Sequence, residues 1–375
     1  MGIALSLLGP SVSYLEDHLG VSAGVVGILF AVIAASNFFG ALLGGRWVSL
    51  WGGHTVLRIG VGAFSIGVVF LALANTYASA VIGALLIGAA TGMADASMNT
   101  MVVWARAGIS GPSLNAMHLL FGVGALLAPL IVDRAIALTD RLWPVAIVVG
   151  FFALVSILMI GRRESPSEPR QAHDVHRPPL PVKVVLKVAI FFLLYVGGEV
   201  GFSGWIHTYG EEQGLRGSGP ALVTAVFWAS FALARLVAIA LNKFLRPITI
   251  VMWACGLSLV SLGVMILGNN NPTAIWLGAG LFGFSSGPQY PTMIAMVDKK
   301  LTLSAQTTAW IVGAAAIGGL IVPVAIGSMI DRVGSESMPI VVLVVSAVAM
   351  AWVIVVERSI NRASGPRRTG VPRPV

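Results

Sequence analysis

Two carboxylate side chains lie within long apolar stretches of the sequence, where an ionised group is costly. Asp95 stands in one such stretch, and Glu199 follows Gly197-Gly198 in another. An acid inside a membrane most often serves transport of ions or protons. We therefore expect Asp95 to carry a coupling proton. Glu199 is expected to bind the coupling proton or another cation, to accept a hydrogen bond from a solute hydroxyl, or to pair with a basic residue. The alternatives are that Asp95 is a structural acid bonded to Ser97 or to a neighbouring helix, and that Glu199 makes a bond that stabilises a gate.

Hydrogen-bonding side chains accompany these acids. Asn115 and His118 are three residues apart and so share a helix face. Asn99 and Asn115 each offer a donor and an acceptor, which suits a hydroxyl-bearing solute. His118 could bind the solute, relay protons together with Asp95, or simply pack within its helix.

An aromatic side chain and a broken helix extend this set. Trp205 could stack on a sugar ring, or belong to the aromatic belt at the membrane interface. Gln289 and Tyr290 follow Gly287-Pro288, and Pro291 predicts a second break. Broken helices often mark binding sites; the alternative is a kink with packing. The predicted solute site comprises Asn99, Asn115, His118, Glu199, Trp205, Gln289 and Tyr290.

Other kinds of chemistry lack sequence support. The chain has no Walker sequence and no nucleophile with a base partner, so we do not expect an enzyme. Cys255 is the single cysteine, and no metal-ligand spacing is present. We expect no cofactor other than a coupling proton or sodium ion. The net charge of +8 does not indicate nucleic acid binding, because the basic residues follow a membrane topology.

The apolar stretches are too extensive for a water-soluble domain. Of 375 residues, 57% are hydrophobic and 10% are charged, whereas soluble domains have about 25% charged residues. Runs of about 20 apolar residues span a bilayer, and as helices they pair their own backbone groups. We predict an all-α membrane protein with twelve spans at 2–17, 23–45, 55–73, 78–102, 113–132, 143–161, 186–209, 220–241, 248–267, 274–297, 305–328 and 338–356.

A polar stretch rich in Pro, Arg and His separates the sixth span from the seventh and has the composition of a disordered linker. It predicts an N-terminal six-helix bundle at 1–161, a linker at 162–185, a C-terminal six-helix bundle at 186–356 and a tail at 357–375. Of the 23 Lys and Arg residues, 18 fall on the side of the linker and termini, 4 on the other side and Arg235 within the eighth span. We call these the basic side and the opposite side.

This asymmetry predicts that the basic side is cytoplasmic, with both termini there and the protein in the plasma membrane. The first span is short. At 1.5 Å per residue, about 15 residues extend roughly 22 Å, less than the roughly 30 Å of the hydrocarbon core. We expect a mis-assigned start or a truncated first helix.

The two halves of the sequence repeat each other. The segment 122–129 in the fifth span matches 316–323 in the eleventh at an offset of 194, and 88–92 in the fourth span matches 283–287 in the tenth at an offset of 195. Two segments with nearly one offset indicate duplicated halves in parallel orientation. The Gly-x-x-x-Gly spacing within 88–92 predicts close helix packing.

The loop from Gly44 to Arg58 resembles the signature that the major facilitator superfamily has between its second and third helices. That signature is a Gly-rich turn with an Asp and several Arg. Here Ser49 stands in the place of the Asp, and Gly53 and His54 replace basic residues.

Further segments resemble the fucose:proton symporter-like and sodium-dependent glucose transporter-like branch of that superfamily. The matching segments are 92–99 in the fourth helix, 114–118 in the fifth, 195–200 and 205–209 in the seventh, and 290–293 in the tenth. Departures from the fucose carrier are Asp95 for Glu, His118 for Gln, and Phe121 where a polar residue is common. The resemblance implies a transporter with its cavity between two six-helix bundles that rock against each other.

Several residues are expected to serve the conformational change. A gating role is assigned to the loop residues Gly44, Gly45, Arg46 and Gly52 and to Arg235. We expect Arg235 to reach the basic side or to pair with a loop acid. The acids of the 133–134 and 331–332 pairs are expected to be solvated charges at helix ends.

Together these features predict proton-coupled uptake of a monosaccharide or a related polyol by alternating access. The partners would be a small solute and the lipid bilayer, without nucleic acid, and we expect a monomer. One alternative is an exporter of drugs or metabolites with the same fold. Another is a membrane sensor or scaffold that does not transport.

Overall fold

The apolar stretches form helices. A computed structural model describes residues 2–105, 111–161, 163–166, 181–242, 244–268, 271–300 and 305–363. In these ranges the helices are α1 Gly2–Ser6, α2 Leu8–Leu19, α3 Ala23–Trp51, α4 Gly53–Ala72, α5 Tyr77–Ala105, α6 Gly111–Thr139, α7 Trp143–Ile160, α8 Val182–Glu212, α9 Gly219–Leu241, α10 Pro247–Leu267, α11 Pro272–Ser286, α12 Gln289–Lys300, α13 Ala305–Val333 and α14 Ser337–Ala363.

These helices account for the predicted spans. Ten helices of the described part are long and apolar enough to cross a membrane. The helices α1 and α2 together occupy the predicted first span, and α11 and α12 together occupy the tenth. The predicted all-α fold class with twelve spans is therefore confirmed, with two spans broken in the middle.

Both breaks follow from proline. A proline inside a helix removes a donor and clashes with the carbonyl four residues earlier. Pro10 cannot donate to the Ser6 carbonyl, four residues earlier, and the first span breaks at Leu7. Pro288 follows Gly287 at the break between α11 and α12. Pro291 does not add the predicted second break: like Pro10 in α2, it is the third residue of the helix that follows the break, and its missing N–H is part of the same interruption.

Two helices extend beyond their predicted spans at the basic side. The helix α8 begins at Val182, within the predicted linker, and α14 continues to Ala363, within the predicted tail. Hydrogen bonds join these two ends. The Lys187 ammonium donates to the Ser359 hydroxyl at 2.7 Å, and the Trp352 indole donates to the Lys187 carbonyl at 2.8 Å. These polar contacts support helix where the apolar runs have ended.

Glycines bring α5 against α3 in the N-terminal half. A Cβ atom on Gly88 would overlap the Ile33 carbonyl oxygen, and one on Gly92 would overlap the Asn37 carbonyl oxygen. The two backbones therefore touch, as the Gly-x-x-x-Gly spacing predicts.

The same packing recurs in the C-terminal half, between α11 and α9. A Cβ atom on Gly283 would overlap the Phe227 carbonyl oxygen, and one on Gly287 would overlap that of Phe231. These two partners lie 194 residues after their counterparts in α3. The repeat seen in the sequence is thus also a repeat of backbone contacts.

The halves pack against each other at the opposite side. The contacts between them join α2 to α8, α3 to α13 and α6 to α9. One apolar cluster there combines Val12 and Leu29 of the N-terminal half with Trp205 and Ile326 of the C-terminal half.

At the basic side, each half has an apolar cluster of its own. Val48 and Val56 belong to the N-terminal one, and Phe192 and Met293 to the C-terminal one. In the described ranges no comparable packing joins α4 and α5 to α10 or α12. In the described ranges the packing between the halves is therefore concentrated at the opposite side.

We expect Gly92→Ala to destabilise the N-terminal half, because the new methyl group must push α3 away from α5. Overpacking of this kind costs about 1–3 kcal/mol. The midpoint of thermal unfolding in detergent, followed by tryptophan fluorescence, should fall. Gly62→Ala is the matched control, since a Cβ at Gly62 would meet nothing within 4 Å. Equal midpoints for the two variants would contradict the close packing.

Candidate functional site

Asp95 lies on the part of α5 that faces the space between the halves. Its side chain is exposed although it lies within a membrane-spanning helix. The Asn99 amide donates to the Asp95 carboxylate at 3.0 Å and to the Asp95 backbone carbonyl at 2.9 Å. The carboxylate is therefore open to water and is held by a neutral partner one turn away. The predicted alternative, a bond to Ser97, is not made, because the Ser97 hydroxyl donates to the Gly53 carbonyl at 2.6 Å.

Glu199 lies on α8 in the C-terminal half, beside the break of the tenth span. Its carboxylate is hydrogen-bonded to the Tyr195 hydroxyl. The same hydroxyl donates to the Ser286 carbonyl at 2.9 Å. A phenol has one proton, so it can donate to only one of these two oxygens at a time. If Tyr195 donates to Ser286, Glu199 must be the protonated donor to Tyr195.

Tyr290 lies near acids of both halves. It is partly buried in the first turn of α12 and packs on Phe192 with 4.7 Å between ring centroids. Asp95 of the N-terminal half and Glu199 and Arg235 of the C-terminal half all lie within electrostatic range of its hydroxyl. Two acids, one cation and a phenol therefore surround one region between the bundles.

Arg235 lies over the break rather than at a loop. Its Nε donates to the Gly287 carbonyl at 3.3 Å, and its guanidinium stacks on the Phe231 ring at 4.3 Å from the centroid. In a continuous helix the Gly287 carbonyl would accept from residue 291, but Pro291 has no N–H. The bond that the structure shows for Arg235 is therefore to the backbone of the break, while the side chain of the loop acid Asp298 lies outside the described residues.

Three consecutive carbonyls at the break accept side-chain hydrogen bonds. The Gln289 amide donates to the Ser285 carbonyl at 3.1 Å, Tyr195 donates to that of Ser286, and Arg235 donates to that of Gly287. A backbone carbonyl without a partner is costly in a membrane interior. The break therefore fixes where these three side chains lie.

Two predicted solute ligands do not reach the space between the halves. Gln289 is 5% exposed, and its amide also donates to the Ser258 hydroxyl at 3.2 Å, inside the C-terminal bundle. Trp205 is fully buried, and its indole donates to the Pro323 carbonyl at 2.9 Å. Its ring packs on Phe30 at the closed opposite side. The structure gives both residues packing roles.

The predicted gating loop is structured by two of its glycines. A Cβ on Gly44 would overlap the Met93 backbone, and Gly52 has a φ of 80° between α3 and α4. Gly45 has nothing within 4 Å of a Cβ, and Arg46 is exposed. Gly44 and Gly52 are thus required sterically, while Gly45 and Arg46 have no such role.

The side chains of two predicted solute ligands are not described by the structure. One residue of the site, Tyr195, was not predicted. Asn115 and His118 are in α6, but their side chains lie outside what the structure describes. Tyr195 was not assigned to the site, although it stands one helical turn before Glu199. Among the described residues, the site therefore consists of Asp95, Asn99, Tyr195, Glu199, Arg235 and Tyr290.

Comparisons with known proteins agree with this architecture. Residues 1–302 match the family model described as Major Facilitator Superfamily. The sodium-dependent glucose transporter 1A of Mus musculus is 24% identical over 366 residues, which cover 87% of this chain and 86% of that protein. The sodium-dependent glucose transporter 1 of Homo sapiens is 21% identical over a region that covers 87% of this chain and 71% of that protein.

A solved structure shares the fold. The crystal structure of a D-xylose-proton symporter superposes with a TM-score of 0.76 and covers 94% of this chain and 93% of its own, at 15% identity. The family match spans most of the chain, and the relatives it resembles are transporters and not enzymes. The chain belongs to the Major Facilitator Superfamily, as a multi-pass membrane transporter.

Proposed function

We propose that the protein takes up a monosaccharide or a related polar solute, driven by a coupling cation, by alternating access. The observation that supports this most directly is the position of Asp95. Its carboxylate lies within electrostatic range of the Tyr290 hydroxyl in the other half, as do Glu199 and Arg235. One solute in this space could touch both halves, which lets its binding favour one arrangement of them.

The chemistry of the site suits a polyhydroxyl solute. Asp95 and Glu199 can accept hydrogen bonds from hydroxyl groups, Asn99 can donate and accept, and Tyr290 offers both a hydroxyl and a ring face. The names of the relatives, sodium-dependent glucose transporter and D-xylose-proton symporter, support a sugar. A wide apolar cavity, as an exporter of apolar compounds would need, has no counterpart in these side chains.

We propose a proton as the coupling ion, carried by Asp95. Its hydrogen-bond partner in the described part is the neutral Asn99, so no basic side chain of that part forms an ion pair with it. While the carboxylate is open to water it can exchange its proton, and closure of the site around it within the membrane span would favour the protonated form. A sodium ion bound by the same carboxylate is the corresponding alternative.

Glu199 can relay the protonation state to the backbone. When Glu199 is protonated it donates to Tyr195, and Tyr195 donates to Ser286 at the break. When Glu199 is ionised, Tyr195 donates to Glu199, and the Ser286 carbonyl loses its donor. Protonation would therefore change how tightly α11 is held to α8, which is the kind of local switch that biases two conformations.

We propose that the basic side is the cytoplasm, following the excess of Lys and Arg in its loops. The arrangement described above, closed at the opposite side, would then be the inward-open state. Uptake requires a second state in which the opposite side opens and the two basic-side clusters meet.

We expect Asp95→Asn to abolish concentrative uptake while sugar exchange continues. Asparagine preserves the hydrogen bond to Asn99 but cannot release a proton. In proteoliposomes with an internal pH dye, a panel of hexoses, deoxyhexoses and polyols identifies the solute that acidifies the interior. The accumulation ratio of that solute should fall to about one in the variant, because linkage requires both ligands.

The control for this experiment is Asp140→Asn, which removes an exposed acid outside the site. Concentrative proton-driven uptake that persists in Asp95→Asn would exclude Asp95 as the proton carrier. A sodium gradient that drives uptake without acidification would identify sodium as the ion. Flux of apolar compounds alone would favour export, and binding without flux would favour a sensor.

We expect Glu199→Gln to weaken sugar binding by about 10- to 100-fold, as the loss of a hydrogen bond to a charged group does. The change should appear in the dissociation constant measured by tryptophan fluorescence or calorimetry. Glu164→Gln, which alters an exposed acid after α7, should leave that constant unchanged. An unaltered affinity in Glu199→Gln would remove Glu199 from the binding site.

A further inference from the structure

Two aspartates at the opposite side bind the first turn of a helix in the other half. The Asp331 carboxylate at the end of α13 accepts from the Ser22 hydroxyl at 2.7 Å and from the Gly24 N–H at 2.9 Å. The Asp133 carboxylate of α6 accepts from the Ser218 hydroxyl at 2.8 Å. The expectation that these acids are only solvated end charges is therefore incomplete. We call the two arrangements the Asp331 contact and the Asp133 contact.

The two contacts are copies of each other. Ser218 lies 196 residues after Ser22, and Asp331 lies 198 residues after Asp133, close to the offset of the repeat. Each half supplies one serine and one aspartate, and each pairs with the other half. The duplication has therefore produced a reciprocal pair of bonds, as a two-fold interface does.

The Asp331 contact caps a helix across the interface. Ser22 is the N-cap residue of α3, but its own side chain makes no capping bond within the helix. Asp331 takes that role and also places a negative charge at the helix N-terminus, where it is stabilised. A Cβ on Gly24 would overlap the Asp331 carboxylate oxygen, so the glycine provides the space for this contact.

The Asp133 contact is the weaker copy. Ser218 is the N-cap residue of α9, and the position that corresponds to Gly24 is Pro220. Proline has no N–H to donate. In the described residues Asp133 therefore accepts from the Ser218 hydroxyl, whereas Asp331 accepts from a hydroxyl and a backbone amide.

Several acids lie close together at this side. Glu16 is within electrostatic range of Asp331, Glu211 and Glu212. Like charges placed so close repel. A third bond across the halves, from the Ser13 hydroxyl to Glu211, follows the same pattern of serine donor and acid acceptor.

We propose that Asp331 and Asp133 are paired gate residues that hold the opposite side closed, with Asp331 the stronger. In each bond the donor and the acceptor belong to different halves. The bonds must therefore break whenever the opposite side opens. The proposal rests on the alternating-access transport proposed above. Its direct consequence is a shift in the equilibrium between closed and open forms, which can be measured without any sugar.

The test is a distance measurement between the halves. Spin labels at Asn75 and Thr273, two exposed positions at the opposite-side ends of the halves, are introduced as cysteines in a Cys255→Ser background. Double electron–electron resonance in nanodiscs then gives the ratio of long to short distances. Asp331→Ala removes two hydrogen bonds to a charged acceptor and should raise this ratio by about tenfold or more. Asp133→Ala should raise it by a smaller factor.

Three further variants keep the test decisive. Gly24→Ala should act like Asp331→Ala although it retains the acid, because the methyl group displaces the carboxylate. Asp331→Asn, which keeps one acceptor oxygen, should give an intermediate ratio and replaces the alanine variant if that protein does not fold. Asp140→Asn, an exposed acid of the same side outside both contacts, should leave the ratio unchanged.

The proposal is overturned if neither Gly24→Ala nor the substitutions of Asp331 change the ratio. It is also overturned if Asp140→Asn changes the ratio as much as Asp331→Asn, since that would indicate net charge at this side and not the specific bonds. No sugar is present, so a failure of the proposed sugar transport would leave this result intact. Conversely, sugar-driven acidification tests the proposed function whether or not the distances change.

Discussion

The requirement that every backbone polar group find a partner inside lipid determines most of this structure. It forces the apolar runs into helices, and it makes each interruption of a helix a position that needs side-chain partners. At the break between α11 and α12 several carbonyls lose their helical donors, and Gln289, Tyr195 and Arg235 donate to three of them. Tyr195 in turn binds Glu199. The polar side of the C-terminal bundle is thus organised by the needs of the backbone.

The need to pair backbone N–H groups also bears on the contact between the halves at the opposite side. Helix N-termini have N–H groups without partners, and in a two-bundle protein they can be capped from within the bundle or from across the interface. For α3 the cap comes from Asp331 of the other half. A local need of one helix is therefore met only when the halves are together. If Asp331 has the proposed gating role, the capping of α3 and the opening of the opposite side depend on the same carboxylate.

The central acids are placed differently in the two halves. Asp95 is exposed and bound by an amide of its own helix, whereas Glu199 is partly buried and bound by a phenol that also serves the break. A solute between them would meet one acid that is open to water and one that is linked to the backbone of α11. This asymmetry suits a cycle in which one acid exchanges its proton and the other responds.

The sequence by itself determined the all-α class, the twelve spans and the duplication, because apolar length and glycine spacing are local properties. The family followed from the resemblance of its motifs to those of known transporters. It also predicted Asp95, Asn99, Glu199 and Tyr290 as members of the candidate site, since polar groups are conspicuous in apolar runs. Only the tertiary structure decided the roles of Gln289, Trp205 and Arg235, because a side chain can satisfy its own bundle or face the gap with the same local sequence. The closed opposite side also depends on tertiary contacts, since the partners of Asp331 and Asp133 lie in the other half of the chain.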